Sequence, residues 1–206
     1  MKRTVDLLLV ILSAPFVLAL IGAVAILVCL RIGLPILFRQ ERIGLNGSTF
    51  TLVKFRTMRV PKPGEDALAT DEERLTPLGR FLRSTSLDEL PSLWNVLVGD
   101  MSLVGPRPLL PSYMPLYTPE QARRHQVRPG ITGWAQVHGR NAVPWNERFE
   151  LDVWYVDHHT IWLDIRILGA SIGAVIAQSG VNAPGHATAP PFSGPALPKG
   201  PDGTST

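Results

Sequence analysis

The stretch "TSLDELPSLWNVLVGDMSLVGPRP" (85–108) decides how this chain is read. Leu90, Leu93, Trp94 and Leu97 recur at i, i+3, i+4 and i+7, which predicts an amphipathic helix. Gly99 is placed to end it, and Pro91 belongs in its first turn, where a missing N–H costs nothing. Asp88 and Glu89 therefore fall at the helix start. Acidic residues there complement the helix dipole, and Ser86 with Glu89 fits a capping box. A Ser86 cap, however, moves Pro91 to the fifth helical position and forfeits a hydrogen bond. A helix start and a reactive carboxylate pair both fit this local pattern.

The wider setting is a set of cations in short segments. Lys54 and Arg56 stand in "KFRTM", Arg83 precedes Asp88 by five residues, Arg107 is held in "GPRP", and Arg128 lies in "VRPGITG". Any one of them alone is ordinarily a solvated surface charge; the weight lies in the set. Arginine suits bidentate contact with phosphate, and flanking prolines fix its backbone. Two carboxylates among such cations can hold a diphosphate with Mg²⁺, and an ionised carboxylate can attack phosphorus to give an acyl phosphate.

Moving toward the N-terminus, Leu7 to Leu30 form a run of 24 uncharged residues. At helical rise the run is about 36 Å long, enough for a hydrocarbon core of about 30 Å. It exceeds the apolar region of an ordinary signal peptide. Lys2 and Arg3 flank one end; Arg31, Arg39 and Arg42 flank the other. A span would put one basic flank outside, against the positive-inside tendency, whereas a re-entrant helix keeps both in the cytoplasm. Pro15 predicts a kink, and Ser13 is placed to satisfy freed backbone groups. A proline-kinked span and a re-entrant helix both remain open on these residues alone. Residues 1–60 hold eight Lys/Arg against two Asp/Glu, a basic block that suits anionic headgroups. The single cysteine, Cys29, excludes an intramolecular disulfide and a cysteine zinc site.

Beyond the run, Asn46-Gly47 between two strand-like segments predicts a hairpin. Residues 60–74 read as a surface loop. "TPLGRFLRS" predicts a short helix capped by Thr76, with Pro77 first and Leu78, Phe81 and Leu82 on one face. Residues 128–141 form a Gly-rich loop with room for one strand. Helices are expected over 145–156 and 161–178, the latter on a membrane surface or in the core. From Ala183, 10 of 24 residues are Pro or Gly, which predicts a disordered tail. The division is thus 1–34 as membrane helix, 35–180 as cytoplasmic domain and 181–206 as tail. The fold class is α/β, mostly α, and membrane-associated.

"KFRTM", "TSLDELP", "NVLVGDMSLVGPRP" and "RPGITGWAQVHGRN" together resemble the small monotopic phosphoglycosyl transferases, the bacterial sugar transferase family, in family order over about residues 4–178. The resemblance implies transfer of a sugar-1-phosphate from a UDP-sugar to undecaprenyl phosphate, with release of UMP, at the cytoplasmic face of the inner membrane. This starts surface polysaccharide or glycoconjugate assembly and hands the product to downstream glycosyltransferases; nucleic acid is not an expected partner. It implies Asp88 as nucleophile, Glu89 as its assistant, both as Mg²⁺ ligands, and Lys54, Arg56, Arg83, Arg107 and Arg128 as phosphate or nucleotide contacts. It also implies a re-entrant helix kinked at Ser13 and Pro15, although Ala14 separates the serine and proline that the family usually has adjacent. Ser84 stands where a basic residue is common. His138, in a motif loop, is the histidine most suited to a functional role. Two rival classes remain: a non-enzymatic module that docks anionic lipid, and a metal-dependent hydrolase that sends the phosphosugar to water.

Overall fold

Charge-free sequence gives way to a basic hairpin at Leu34-Pro35, and the architecture changes there too. In the computed structural model, which describes residues 1–66, 70–139, 143–176 and 192–194, α1 (Lys2–Arg31) is one continuous helix through Pro15. It is long and apolar enough to cross a membrane by length and composition. Ser13 Oγ donates to Val10 O at 3.1 Å, not to the Ile11 carbonyl that Pro15 releases. The expected rescue of that carbonyl by Ser13 is therefore not the bond formed.

The domain holds α1 near both ends. Val10 packs with Leu52, Val96 and Met101; Val24 and Val28 pack with Phe55 and Leu82. Polar bonds reinforce each contact. At the first end Lys2 pairs with Asp164 at 2.5 Å, and Asp6 accepts from Ser102 Oγ at 2.8 Å. At the second, Arg56 Nη2 donates to the carbonyls of Ile32 and Gly33 at 2.9 and 2.6 Å. Between them Ile11, Leu12, Phe16, Leu18 and Leu20 are exposed.

The hairpin forms as expected: β1 (Leu37–Ile43) runs antiparallel to β2 (Thr49–Phe55), and Asn46 turns the chain at φ 54°. Within the expected surface loop, α2 (Asp71–Arg74) makes one turn. Thr76 caps α3 (Pro77–Ser84) by accepting from Gly79 N at 2.9 Å. Of the three residues expected on one face, Leu82 is buried and Leu78 packs beside it, but Phe81 is exposed.

The central helix departs most. Leu87–Ser92 form a 3₁₀ turn, and α4 (Leu93–Val98) follows, ended by Gly99 at φ 103°. Ser86 adopts φ 57° and makes no side-chain cap, so the capping box is absent. The 3₁₀ turn accommodates Pro91 without the helical bond it could not make. Trp94, 62% exposed, and Leu97 face outward, while Ser92 and Asn95 are buried. The reason is the edge of β2. Ser92 Oγ donates to Val53 O at 2.8 Å, Asn95 Nδ2 donates to Thr51 O at 2.8 Å, and Val53 N donates to Asn95 Oδ1 at 3.2 Å. A strand edge needs partners, and Ser92 and Asn95 supply them beside the fully buried Val96.

β3 (Ser102–Val104) pairs in parallel with β4 (Gly130–Thr132), a pairing the sequence reading lacked. Gly130 makes it possible: a Cβ there would lie 2.1 Å from Gly105 N. α5 (Pro119–Ala122) and α6 (Trp134–Val137) are single turns; α7 (Trp145–His158) and α8 (Ile161–Ile176) are the expected helices. α8 serves two sides, burying Leu163 and Ile167 and exposing Trp162 and Ile172. The last two residues expected in it, 177 and 178, lie outside the described residues, as does most of the tail. Within the stretch expected to be a disordered tail, Phe192 is 4% exposed in a cluster with Leu109 and Phe149.

Candidate active site

The 3₁₀ turn puts Asp88 and Glu89 beside β2, where Lys54 points at them, and below the Gly105–Pro108 turn, which brings Arg107. Glu89 Oε1 accepts from Lys54 Nζ at 2.5 Å and from Arg107 Nη2 at 2.9 Å. Both cations converge on one oxygen, and Oε2 accepts no hydrogen bond among the described residues. Asp88 is 8% exposed and likewise accepts none there. Arg83 Nε donates to Thr57 Oγ1 at 3.0 Å, from where its charge acts on Asp88.

The two neighbours titrate in opposite directions. Burial pushes the Asp88 carboxyl up to about 6; the charge of Glu89 adds to this, and Lys54, Arg83 and Arg107 oppose it. Burial also pushes Glu89 upward, but Arg107 and Lys54 outweigh it and hold its carboxyl down at about 2. Burial lowers Lys54 and Arg83, while Glu89 raises Arg107. Asp88 is therefore ionised at neutral pH with little margin, because desolvation wins over the cations. A desolvated carboxylate without hydrogen bonds is a better nucleophile than one already committed to donors. Glu89 is the fixed anion that keeps the cations in place.

A small cavity of about 30 Å³ opens between Arg42, Leu52, Lys54, Glu89, Ser92 and Arg107. That is room for a water or two in a polar setting. Arg107 keeps 42% of its side-chain surface exposed, so the site opens to solvent along this residue. Beneath it lies a pair that the sequence reading missed. Arg124 donates to Asp152 Oδ2 at 2.6 Å and to the Arg107 carbonyl at 2.8 Å, fixing the turn from inside. No spacing in "ARRHQ" singles out Arg124 from Arg123, which instead pairs on the surface with Glu120 at 2.5 Å.

Lys54, Arg83, Arg107, Asp88 and Glu89 thus come together as expected. Two other expected contacts lie elsewhere. Arg56 clamps the end of α1 through the Ile32 and Gly33 carbonyls. Arg128 Nε donates to Gly99 O at 2.8 Å, at the end of α4. His138 sits against Trp134 and bonds its carbonyl at 2.8 Å through Nδ1.

No group of three His, Cys, Asp or Glu side chains among the described residues is arranged to hold a metal. The donors on offer are Asp88 and Glu89 Oε2. This set fits a hard cation that fills the rest of its shell with water and substrate phosphate, as Mg²⁺ does, and does not fit a metal caged by protein.

The chain is similar to known proteins over nearly this whole structure. The family described as bacterial sugar transferase matches residues 1–178. The uncharacterized sugar transferase EpsL of Bacillus subtilis (strain 168) is 55% identical over 165 residues, covering 80% of this chain and 82% of that protein. A UDP-glucose:undecaprenyl-phosphate glucose-1-phosphate transferase of Caulobacter vibrioides is 38% identical over 189 residues, covering 85% and 69%. An undecaprenyl-phosphate galactose phosphotransferase of Salmonella typhimurium is 36% identical over 201 residues, covering 87% of this chain but 41% of that protein. Several of the relatives are thus much longer than the part this chain spans.

Proposed function

The chain belongs to the bacterial sugar transferase family, and from that premise we propose that it is a polyprenyl-phosphate sugar-1-phosphate transferase acting through an aspartyl-phosphosugar intermediate. The observation that carries the covalent step is the contrast within the carboxylate pair: Glu89 is committed to two cations, while buried Asp88 accepts no hydrogen bond among the described residues.

In this reading an Asp88 oxygen attacks the β-phosphorus of a UDP-sugar. The bond from that phosphorus to the bridging oxygen breaks, and UMP leaves with the electron pair. The sugar phosphate is now joined to Asp88 as an acyl phosphate, a mixed anhydride. A phosphate oxygen of undecaprenyl phosphate then attacks the same phosphorus, the bond to Asp88 breaks, and the carboxylate is restored. Glu89 stays ionised and holds Lys54 and Arg107 beside the transferring phosphate. Arg107, Lys54 and Arg83 neutralise charge on the transferring group. Mg²⁺, held by Asp88 or Glu89 Oε2 together with substrate phosphates, would supply further neutralisation of the diphosphate.

The lipid acceptor requires a site at the membrane surface. We infer a re-entrant α1 at the cytoplasmic face of the inner membrane. The attachment of the helix to the domain through Lys2, Asp6 and Val10 at one end and Val24 and Val28 at the other supports this. A straight span would carry one end about 30 Å from a domain that holds the other. Outward-facing Phe81, Trp94, Leu97 and Trp162 give the domain an apolar surface for the interface.

The test is UMP release from a panel of UDP-sugars, with and without undecaprenyl phosphate. Turnover that requires the lipid and yields a polyprenyl diphosphate sugar is expected. Release of free sugar phosphate without the lipid would mean a hydrolase. No UMP from any donor would leave a lipid-docking module.

A further inference from the structure

Arg42 is a half-buried arginine on the wall of the candidate site. It projects from β1 into the wall of the cavity shared by Lys54, Glu89, Ser92 and Arg107. Its Nη2 donates to Gln40 Oε1 at 2.5 Å, and its Nη1 makes only a long bond, 3.3 Å, to Pro108 O. Its Nε is sealed from solvent without a partner. It forms no ion pair with a described residue. Among the other interior arginines Arg56 donates two short bonds to helix-end carbonyls and Arg124 pairs with Asp152; Arg148 also has an unpartnered Nε, but it lies over the Trp145 ring and donates to Val143 O, away from the cavity that Arg42 lines. Burial and the neighbouring Arg107 together press the Arg42 guanidinium down to about 10.

A guanidinium half-sunk beside a second guanidinium, with a donor unspent and no anion of its own, is costly. Tethering Pro108 does not explain that cost, since a neutral amide would make the same bond. An anion entering the cavity explains it. Three cations, Arg42, Lys54 and Arg107, line this cavity against one carboxylate, Glu89, so it carries positive charge to spare. We propose that Arg42 is a substrate-binding residue that grips, with Arg107, a phosphate group of a substrate across the cavity from Glu89. The proposal rests on reading the cavity as a phosphoryl-transfer site, and it adds a residue that the motifs did not supply. The phosphate belongs either to the donor diphosphate or to the lipid acceptor, and both have the chemistry that a guanidinium recognises once Nη1 gives up its long bond to Pro108.

The experiment uses the full chain in lipid nanodiscs and inorganic pyrophosphate as probe. Arg42→Gln keeps a neutral donor for Pro108 and removes the charge. Its pyrophosphate Kd is expected to rise about ten- to hundredfold, with the melting temperature kept, while Arg166→Gln on the exposed side of α8 changes neither. Arg42→Lys, which keeps charge but loses the fork, should weaken binding severalfold and serves alone if Arg42→Gln does not fold. Wild-type affinity in a folded variant overturns the proposal. The two half-reactions assign the source. Slower adduct formation without acceptor points to the donor diphosphate; normal adduct formation with slow discharge points to the acceptor. A wild-type chain that binds pyrophosphate through Arg42 but releases no UMP would keep this assignment and sink the transferase reading.

Discussion

Two carboxylate clusters meet at Arg107. Glu89 takes its guanidinium, and Arg124, paired with Asp152, takes its carbonyl. The inner pair is closed: Arg124 and Asp152 are 1% and 2% exposed, one cation to one anion. The outer cluster is open, with several cations around two carboxylates and oxygens left over on both. Closure holds a turn in place. Openness leaves charge and lone pairs for something that is not part of the protein. A buried ion pair by itself is weak evidence for function; an unbalanced one beside a cavity is much stronger.

The sharpest break in that comparison is to remove one member from each cluster. Asp88→Asn should lower turnover by roughly a thousandfold or more, because the nucleophile is lost. It should also raise stability. The Asp88 carboxyl lies above its ordinary value, so the stabilisation of its protonated form is complete below pH about 3.8 and is lost as pH rises through about 6. At pH 8 the amide therefore gains about 1–3 kcal/mol over the carboxylate, and the gain should vanish near pH 4. Thermal melts of both proteins at the two pH values check this. Asp152→Ala should do the opposite, costing about 3–5 kcal/mol by stranding Arg124, with activity falling alongside the folded fraction.

A milder probe leaves the sequence alone. Adduct formation needs ionised Asp88, so its rate should be flat above pH 7 and fall tenfold per unit below about 6. Glu89, held near 2 by Arg107 and Lys54 against burial, contributes no limb in that range. A profile falling instead near pH 4 would mean that the cations, not desolvation, govern Asp88. The smallest effect is expected far from both clusters. Phe192 packs against Tyr113, Trp145 and Phe149 with ring centroids 5.7, 5.6 and 5.0 Å away. Phe192→Ala should cost less than the about 3–5 kcal/mol lost with a central Phe, read from thermal melts, because Tyr113, Trp145 and Phe149 also pack on one another. UMP release should stay intact.

The hairpin, the Thr76 cap, the Gly99 ending and the two long helices were legible because each depends on local chemistry: a positive φ, a short side chain, a sustained period. The grouping of Lys54, Arg83 and Arg107 with Asp88 and Glu89 was legible as a set of charges in short segments; the family resemblance gave each its role. The stripe Leu90–Leu93–Trp94–Leu97 was legible as a stripe, but not that Leu90 and Leu93 pack inward while Trp94 and Leu97 face out. Periodicity finds an apolar face without saying what it faces, and only the unpaired edge of β2 draws Ser92 and Asn95 inward. Arg56 and Arg107 look alike in sequence, yet one closes a helix end and the other faces the cavity. The β3–β4 pairing and the Arg124–Asp152 pair join residues 28 apart, beyond the reach of any local pattern.

The central claim is that Asp88 becomes covalently attached to the sugar phosphate. Intact-protein mass spectrometry after incubation with a UDP-sugar that supports turnover, with Mg²⁺ and without lipid acceptor, tests it directly. The account predicts a mass increment of one phosphosugar, mapped to Asp88, absent in Asp88→Asn and discharged on adding undecaprenyl phosphate. Turnover by the wild-type protein with no such adduct, or an active Asp88→Asn protein, would contradict it and leave direct transfer between the two substrates.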